Sequence, residues 1–444
     1  MTELPVVVVG AGPVGLAAAA HLAERGLPSL VLEAGPSAGA AVAQWHHVRL
    51  FSRWPELVDP VAARTLETTG WRSPDPEACP TGAEWADAYL RPLAAVLGER
   101  VRFGTRVVGV ARRGRDLVVD AGRETEPLTV HVRTAAGEER IAARAVIDAS
   151  GTWTAPNPLG GDGLPALGEA AAERIVYRVP DLADPNVRAR YAGNRIALAG
   201  SGHSALTALV AFADLAEEHP GTEIVWLLRR GTAGNVFGGA EADQLPARGA
   251  LGRRAKAAAQ AGYVRTVTGF RTASVERVPD GRLVPASLDG RRLDPVDEAV
   301  VLTGFRPDLS WLSEVRLDLD PVLQAPRALA PLIDPNVHSC GTVYPHGAKE
   351  LAHPEPDVFL VGMKSYGRAP TFLAMTGYEQ VRSVVAAIAG DHAAAERVEL
   401  TLPETGVCGG ADLFDEPAET ATEGCCGPPS GPVEAAITVP GPGR

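Results

Sequence analysis

Twice in this chain an apolar strand runs into a glycine-rich turn, a helix and a second strand, and this repeated unit limits the folds open to it. The first copy reads Pro5-Val-Val-Val-Val, then Gly10-Ala-Gly12-Pro13-Val-Gly15, an Ala-rich helix from Leu16 to Arg25, and Leu30-Val-Leu-Glu33. Short continuous apolar runs of this kind suit strands buried on both faces of a parallel sheet. In the turn, Gly10 permits the sharp bend, Gly12 lets backbone approach a pyrophosphate, and Gly15 lets helix and strand pack closely. The helix N-terminus then faces the anion. Glu33, at the tip of the second strand, is the acid that would bond ribose hydroxyls.

The second copy comprises Arg195-Ile-Ala-Leu-Ala, Gly200-Ser201-Gly202-His-Ser204-Ala205, a helix through Leu215, and Glu223-Ile-Val-Trp-Leu-Leu. Ala205 stands where the third glycine belongs, which the motif tolerates because only a small residue is needed. Its strand tip is Leu228-Arg229-Arg230 rather than an acid. A guanidinium pairs with a 2′-phosphate where a carboxylate repels it, so this tip selects NADPH over NADH. The competing reading is a solvated surface pair of arginines.

With 444 residues the chain has room for two or three folded units at a prior of about 150 residues each. A net charge of -12 argues against general affinity for nucleic acid or anionic membrane. The apolar run Pro5 to Ala23 lacks a basic leader and is interrupted by glycines at motif spacing, which argues against a membrane span. Five cysteines, an odd number, do not form a secreted disulfide framework, so the expected compartment is the cytoplasm.

The expected architecture is α/β with two Rossmann-like dinucleotide-binding domains, one inserted in the other. β patterns at Val101 to Arg112 and Leu128 to Arg133 suit an antiparallel excursion, and Ala145 to Gly151 suits a strand returning to the first sheet. Thr154 to Pro165 is rich in Pro and Gly and serves as the hinge, with a second return near Glu298 to Gly304. The expected boundaries are 1–153 and 306–400 for the first domain, 154–305 for the inserted one, and 401–444 for a flexible, cysteine-containing tail.

Across residues 5 to 390 the chain resembles the flavoproteins with two dinucleotide-binding domains, the group containing thioredoxin reductases and flavin-containing and Baeyer-Villiger monooxygenases. The resemblance rests on both glycine motifs, on Val146 to Trp153 with Pro156, on Asp297 to Gly304 with Pro307, and on Asp357-Val-Phe-Leu-Val-Gly362 followed by Thr376-Gly377-Tyr378-Glu379. It implies FAD in the first domain and NADPH in the second. Implied FAD contacts are Gly10, Gly12, Pro13, Gly15, Glu33, Val108, Gly151, Gly362 and Thr376; implied NADPH contacts are Gly200, Ser201, Gly202, Ser204, Arg229 and Arg230. Met363 stands where the group commonly has Asp. Disulfide reductases of the group carry a cysteine pair against the flavin, and this chain has none there. The segment Gln44 to Trp54 is similar instead to the one covering the flavin in monooxygenases, which makes Trp45, His47 and Arg49 the catalytic candidates. The implied chemistry is hydride transfer from NADPH to flavin, oxygen addition to a C4a-(hydro)peroxyflavin, and transfer of one oxygen to a soft nucleophile or metalloid. The monooxygenase fingerprint FxGxxxHxxx(Y/W) is absent, since that stretch reads Leu167 to Tyr177 without the required Phe or His.

Histidines 46, 47, 203, 338, 346 and 353 are acid/base candidates because imidazole titrates near 6.5. Lys364, Tyr366 and Arg368 either line the flavin pocket or form a surface turn. Cys408, Cys425 and Cys426 in the tail have the softness to capture a thiophilic metalloid, or belong to an unselected tail. The thiol pair resembles that of mercuric reductases, and the whole chain resembles the flavin-dependent monooxygenase-like proteins of bacterial arsenic-resistance clusters. Two other functions stand beside the monooxygenase: a metal(loid) reductase working through the tail thiols, and a non-catalytic flavin-bound sensor. The expected partner in turnover is a small molecule.

Overall fold

The computed structural model describes residues 3–238, 245–337, 345–370 and 372–400. In chain order the strands are β1 (Val6–Val9), β2 (Ser29–Leu32), β3 (Val101–Arg102), β4 (Arg106–Arg112), β5 (Leu128–Thr134), β6 (Gly137–Ala143), β7 (Ala145–Asp148), β8 (Ile175–Val176), β9 (Arg195–Ala199), β10 (Glu223–Leu227), β11 (Val264–Val267), β12 (Thr272–Arg277), β13 (Leu283–Ser287), β14 (Glu298–Val301) and β15 (Val358–Leu360). One parallel sheet has the order β15-β7-β1-β2-β3 and the other β11-β10-β9-β14-β8. An antiparallel β4-β5-β6 sheet and a β12-β13 hairpin accompany them. The fold is therefore α/β with two Rossmann-type sheets. The late strand β15 pairs with β7 inside the first sheet.

Alternation along β1 shows why these residues make a central strand. Val6 and Val8 join the core built on the helices, including Leu16, Ala17 and Ala18; Val7 and Val9 join Val110, Leu128, Val130 and Val132 of the antiparallel sheet. A strand covered on both faces must be apolar at every position. In β9 the same rule puts Ile196 and Leu198 against the helix His203–Glu218, and Ala197 and Ala199 against Phe270, Val275 and Leu283. Alanines 17 to 20 are fully buried because the helix Pro13–Glu24 is packed on several sides, against the first sheet and the helices Pro60–Glu67, Arg91–Leu97 and Ala374–Ile388. Small side chains allow that close approach, and a larger one there costs about 1–3 kcal/mol in overpacking.

The expectation for residues 101–112 needs one correction. Val101 and Arg102 pair in parallel with β2, so they belong to the first sheet, and Gly104 at φ +61° turns the chain before the antiparallel excursion begins at β4. Two antiparallel segments link the sheets: Pro156 bridges Phe305, the Asn157 amide donates to the Gly304 carbonyl, and the Arg306 amide donates to the Ala155 carbonyl. Arg306 locks this crossing by donating from Nε to Asn157 Oδ1 (2.5 Å) and from its terminal nitrogen to the Gly163 carbonyl (2.6 Å). Among the described residues no helix is long and apolar enough to cross a membrane.

Candidate functional site: two glycine turns and the junction between them

Each glycine turn is closed by the crossover strand beside it. Gly10 has φ +99°, and a Cβ on it would stand 2.9 Å from the Ala149 carbonyl oxygen. Gly200 has φ +130°, and its Cβ would stand 2.3 Å from the Leu302 carbonyl oxygen. A Cβ on Gly15 would fall 1.9 Å from the Gly10 carbonyl oxygen, so helix and turn meet there only without a side chain. Ala205 takes the matching place in the second unit.

Both helices are open at the end that faces an anion. Gly12 and Gly202 are the N-caps of Pro13–Glu24 and His203–Glu218, and neither helix has a side-chain cap. Nothing stands within 4 Å of a Cβ built on either glycine. First-turn amides without a side-chain acceptor beneath open space are what a pyrophosphate requires. Pro13 occupies the first turn of the first helix and Ser204 that of the second, with Ser201 in the turn itself. The residues present therefore fit two dinucleotides.

Glu33 does more than its position in the sequence announces. Its Oε2 accepts from the Ala11 amide and its Oε1 from the Gly35 amide, both at 2.7 Å. Each carboxylate oxygen retains a lone pair for a ribose hydroxyl, so one side chain shapes the turn and presents an acceptor. In the second unit the Trp226 indole Nε1 donates to the Gly200 carbonyl at 2.9 Å. There the strand tip carries cations. Arg229 has much of its surface open to solvent, yet enough protein surrounds it that desolvation leads in lowering its pKa, and the Arg230 and Arg271 guanidiniums lower it further. Arg271, which the motif does not include, thus joins the cationic tip.

At the return end of the first sheet, Gly362 has φ +69° and its amide donates to Gln380 Oε1 at 2.7 Å. A Cβ there would stand 3.3 Å from Val14 Cγ2, which places the segment against the first helix. Thr376 is buried in the first turn of Ala374–Ile388 and is hydrogen-bonded with Tyr366. Gly151 follows β7 at φ +69°. Val108 sits at the β4 bulge between Val107 and Gly109. Of the three residues left between pocket and surface turn, Lys364 and Tyr366 are buried and Arg368 is exposed. The Lys364 ammonium lies 2.6 Å from Asp148 Oδ2, donates to Ser150 Oγ at 3.1 Å, and sits over the Trp311 ring.

Of the three catalytic candidates, Trp45 and Arg49 pack on the segment from Cys79 to Trp85, and His47 faces elsewhere. Trp45 packs its ring against Gly82 and near Trp85. Arg49 donates to the Cys79 carbonyl at 2.6 Å and lies near Glu84. His47 meets the segment entering the second unit, and burial leads in holding its pKa below the usual imidazole value, against an upward pull from Asp181. Other contacts cross the same junction: Trp153 Nε1 donates to Gln44 Oε1 at 3.1 Å, Trp153 stacks near Phe305, and Phe51 meets the His203 ring. His346 is buried beside Gln380, and His353 accepts from the Asp318 amide. His338, Cys340, Cys408, Cys425 and Cys426 lie outside the described residues. Burial, with Glu56 assisting, pushes the Cys79 thiol up, which makes it a poor nucleophile.

The stretch that lacks the monooxygenase fingerprint is organised around Gly168 and Glu169. Gly168 at φ +84° leaves no room for a Cβ, which would stand 2.3 Å from the Val275 carbonyl oxygen. Glu169 is buried and accepts from the Leu159 and Ala166 amides and the Tyr177 hydroxyl, at 2.8, 2.7 and 2.6 Å. This carboxylate fixes the approach to β8.

Comparison with known proteins agrees with this geometry. The profile of the family described as Pyridine nucleotide-disulphide oxidoreductase matches residues 7–328. Indole-3-pyruvate monooxygenase YUCCA1 of Oryza sativa subsp. japonica is 32% identical over 202 residues, covering 45% of this chain and 43% of that protein. The chain thus spans less than half the length of this curated relative. Among solved structures, the bacillithiol disulfide reductase of Bacillus cereus superposes with a TM-score of 0.63 at 19% identity, over 87% of this chain and 99% of that one. The cadaverine monooxygenase DfoA of Erwinia amylovora, solved with FAD, gives 0.62 at 15% identity over 91% and 99%. A flavin-containing monooxygenase of Stenotrophomonas maltophilia gives 0.53 at 23% identity over 88% and 99%.

Proposed function

The chain belongs to the pyridine nucleotide-disulphide oxidoreductase family, and from that premise we propose that this FAD-dependent oxidoreductase is an NADPH-consuming monooxygenase acting on a soft nucleophile or metalloid. One observation carries the reading: residues 154–305 contain no cysteine, and Cys79 and Cys340, the two cysteines before the tail, are far apart in sequence and form no adjacent or closely spaced pair. Its cysteines stand at 79, 340, 408, 425 and 426, and the Cys79 thiol is held in its protonated form. Dithiol relays need two neighbouring sulfurs, at least one of low pKa. With no closely spaced pair of cysteines before the tail, oxygen is the acceptor on this reading. The monooxygenase named among the relatives accords with that choice.

On this reading residues 1–153 and 306–400 hold FAD and 154–305 hold NADPH, in the cytoplasm. Bound FAD supplies a hydride acceptor that passes electrons to oxygen. The protein's own part is to bind and orient. The amides after Gly10 and Gly200 take the two pyrophosphates, Glu33 takes the ribose, and Arg229, Arg230 and Arg271 take the 2′-phosphate. Trp153, Phe305, Phe51 and Gln44 close the junction between the units and restrict water there.

Single turnovers under ¹⁸O₂ test the proposal, with a thioether, an amine and a trivalent arsenical as trial substrates. The expected result is one labelled oxygen in one product class per NADPH, unchanged by the combined Cys425→Ser and Cys426→Ser substitutions. Turnover that ignores oxygen and disappears with those two thiols would replace the oxygenase by a thiol-linked reductase.

A further inference from the structure

His46, His47 and Asp181 each place one ligand atom within 4.8 Å of the other two. His46 Nε2 is 3.3 Å from Asp181 Oδ2, and the two imidazoles meet edge to face with centroids 5.3 Å apart. A tetrahedral ion with ligands at about 2.0–2.1 Å holds them roughly 3.3 Å apart. One pair is already at that spacing, and the third ligand needs a shift of at most about 1.5 Å to join it.

His47 is the second, independent sign of a ligand. Both its ring nitrogens are shielded from water and neither has a hydrogen-bond partner. The Val179 and Pro180 carbonyls lie near enough to favour its proton, but not in hydrogen-bond geometry. A neutral imidazole offers one N–H and one lone pair, and leaving both unmet is costly.

From this geometry we propose that His46, His47 and Asp181 bind one divalent transition-metal ion of the zinc type, which clasps the two nucleotide-binding units together. Two imidazoles and one carboxylate suit zinc and its neighbours rather than calcium or magnesium, which prefer all-oxygen sites. With one His47 nitrogen on the ion, a small ring rotation lets the other donate to Val179 or Pro180, the orienting contact metal-bound histidines commonly make. His46 has 54% of its side chain exposed, which gives the ion a path in. The anchors are firm on both sides. Val42, Trp45 and Leu50 pack into the first core, while Val179 and Leu182 pack against the second. An ion here therefore bridges two cores beside the Gln44–Trp153 contact, and the inference does not rest on the oxygenase reading.

Cobalt(II) titration of the full-length chain tests it, in a Cys408→Ser, Cys425→Ser, Cys426→Ser background so that tail thiols do not compete. The expected result is one equivalent bound, with visible bands of nitrogen and oxygen ligation, no sulfur charge-transfer band, and displacement by Zn²⁺. His47→Gln and Asp181→Asn should each weaken binding at least about tenfold, while the metal-free variants keep the flavin absorbance and melting temperature of the metal-free parent. Absence of cobalt uptake in the serine background, or uptake that both substitutions leave unchanged, overturns the proposal.

Discussion

The Lys364 ammonium and Asp148 Oδ2 stand 2.6 Å apart with at most 1% of either side chain open to water. The two residues follow and end neighbouring strands, β15 and β7, so their pairing ties the two return segments of the first sheet. Removing one partner strands a buried charge, which typically costs about 3–5 kcal/mol, whereas removing both with apolar residues of similar volume is often neutral. Lys364→Met and Asp148→Leu should each lower the urea midpoint sharply, and the double substitution should recover most of the loss. A double variant as unstable as the sum of the singles would show no coupling.

Glu33 predicts a change in cofactor retention. Its two oxygens serve two amides, and a glutamine in its place can accept on one oxygen only. Either the Ala11 or the Gly35 amide then meets an NH₂ group. The loss of one charge-assisted bond, about 1.5–3 kcal/mol, should loosen FAD by roughly ten- to a hundredfold. Equilibrium dialysis of Glu33→Gln measures it, and unchanged FAD affinity would restrict Glu33 to a minor role.

Coenzyme choice is predicted by the cationic strand tip. Arg230→Ser and Arg271→Ser should each raise the KM for NADPH by roughly ten- to a hundredfold, the equivalent of one bond to a charged phosphate, and leave that for NADH nearly unchanged. Steady-state kinetics with both coenzymes decides it. Arg271 is the more informative substitution, because it lies outside the glycine motif and joins the tip only through the fold.

Elements governed by local sterics were legible in the sequence. Gly10, Gly15 and Gly200 are demanded by their turns, and the apolar runs of β1, β7, β9 and β14 follow from burial on both faces. Contacts between distant residues were not. Nothing near Lys364 points to Asp148, and nothing near Arg112 or Arg123 points to Glu355, whose carboxylate both guanidiniums grip at 2.9 Å or less. The seat of Trp45 was not legible either: a glycine at 82 opens a slot against which the indole packs, near Trp85, and leaves the ring half-buried. His47 was legible as a candidate base, while its partner Asp181 enters only once the second unit folds back against the first.

His353 sets the acid limit of stability. Burial leads in lowering its pKa to about 4, against an opposing pull from the Asp318 carboxylate, while an unfolded imidazole titrates near 6.5. Folded protein therefore keeps this ring neutral through a range in which the unfolded chain takes up a proton. The contribution is complete above about pH 6.5, declines as pH falls, and is exhausted below about 4, reaching at most about 3 kcal/mol. Glu355 extends the slope further down: burial raises its carboxyl, the bonds from Arg123 and Arg112 outweigh that, and the net pKa falls below the ordinary glutamate value. Its contribution is lost only as pH drops through that lowered value. Unfolding by urea between pH 7 and 3 should show both stages, with His353→Gln flattening the upper stage and sparing the lower. An unchanged slope between pH 6.5 and 4 in that variant would mean that His353 is as readily protonated in the folded chain as in the unfolded one.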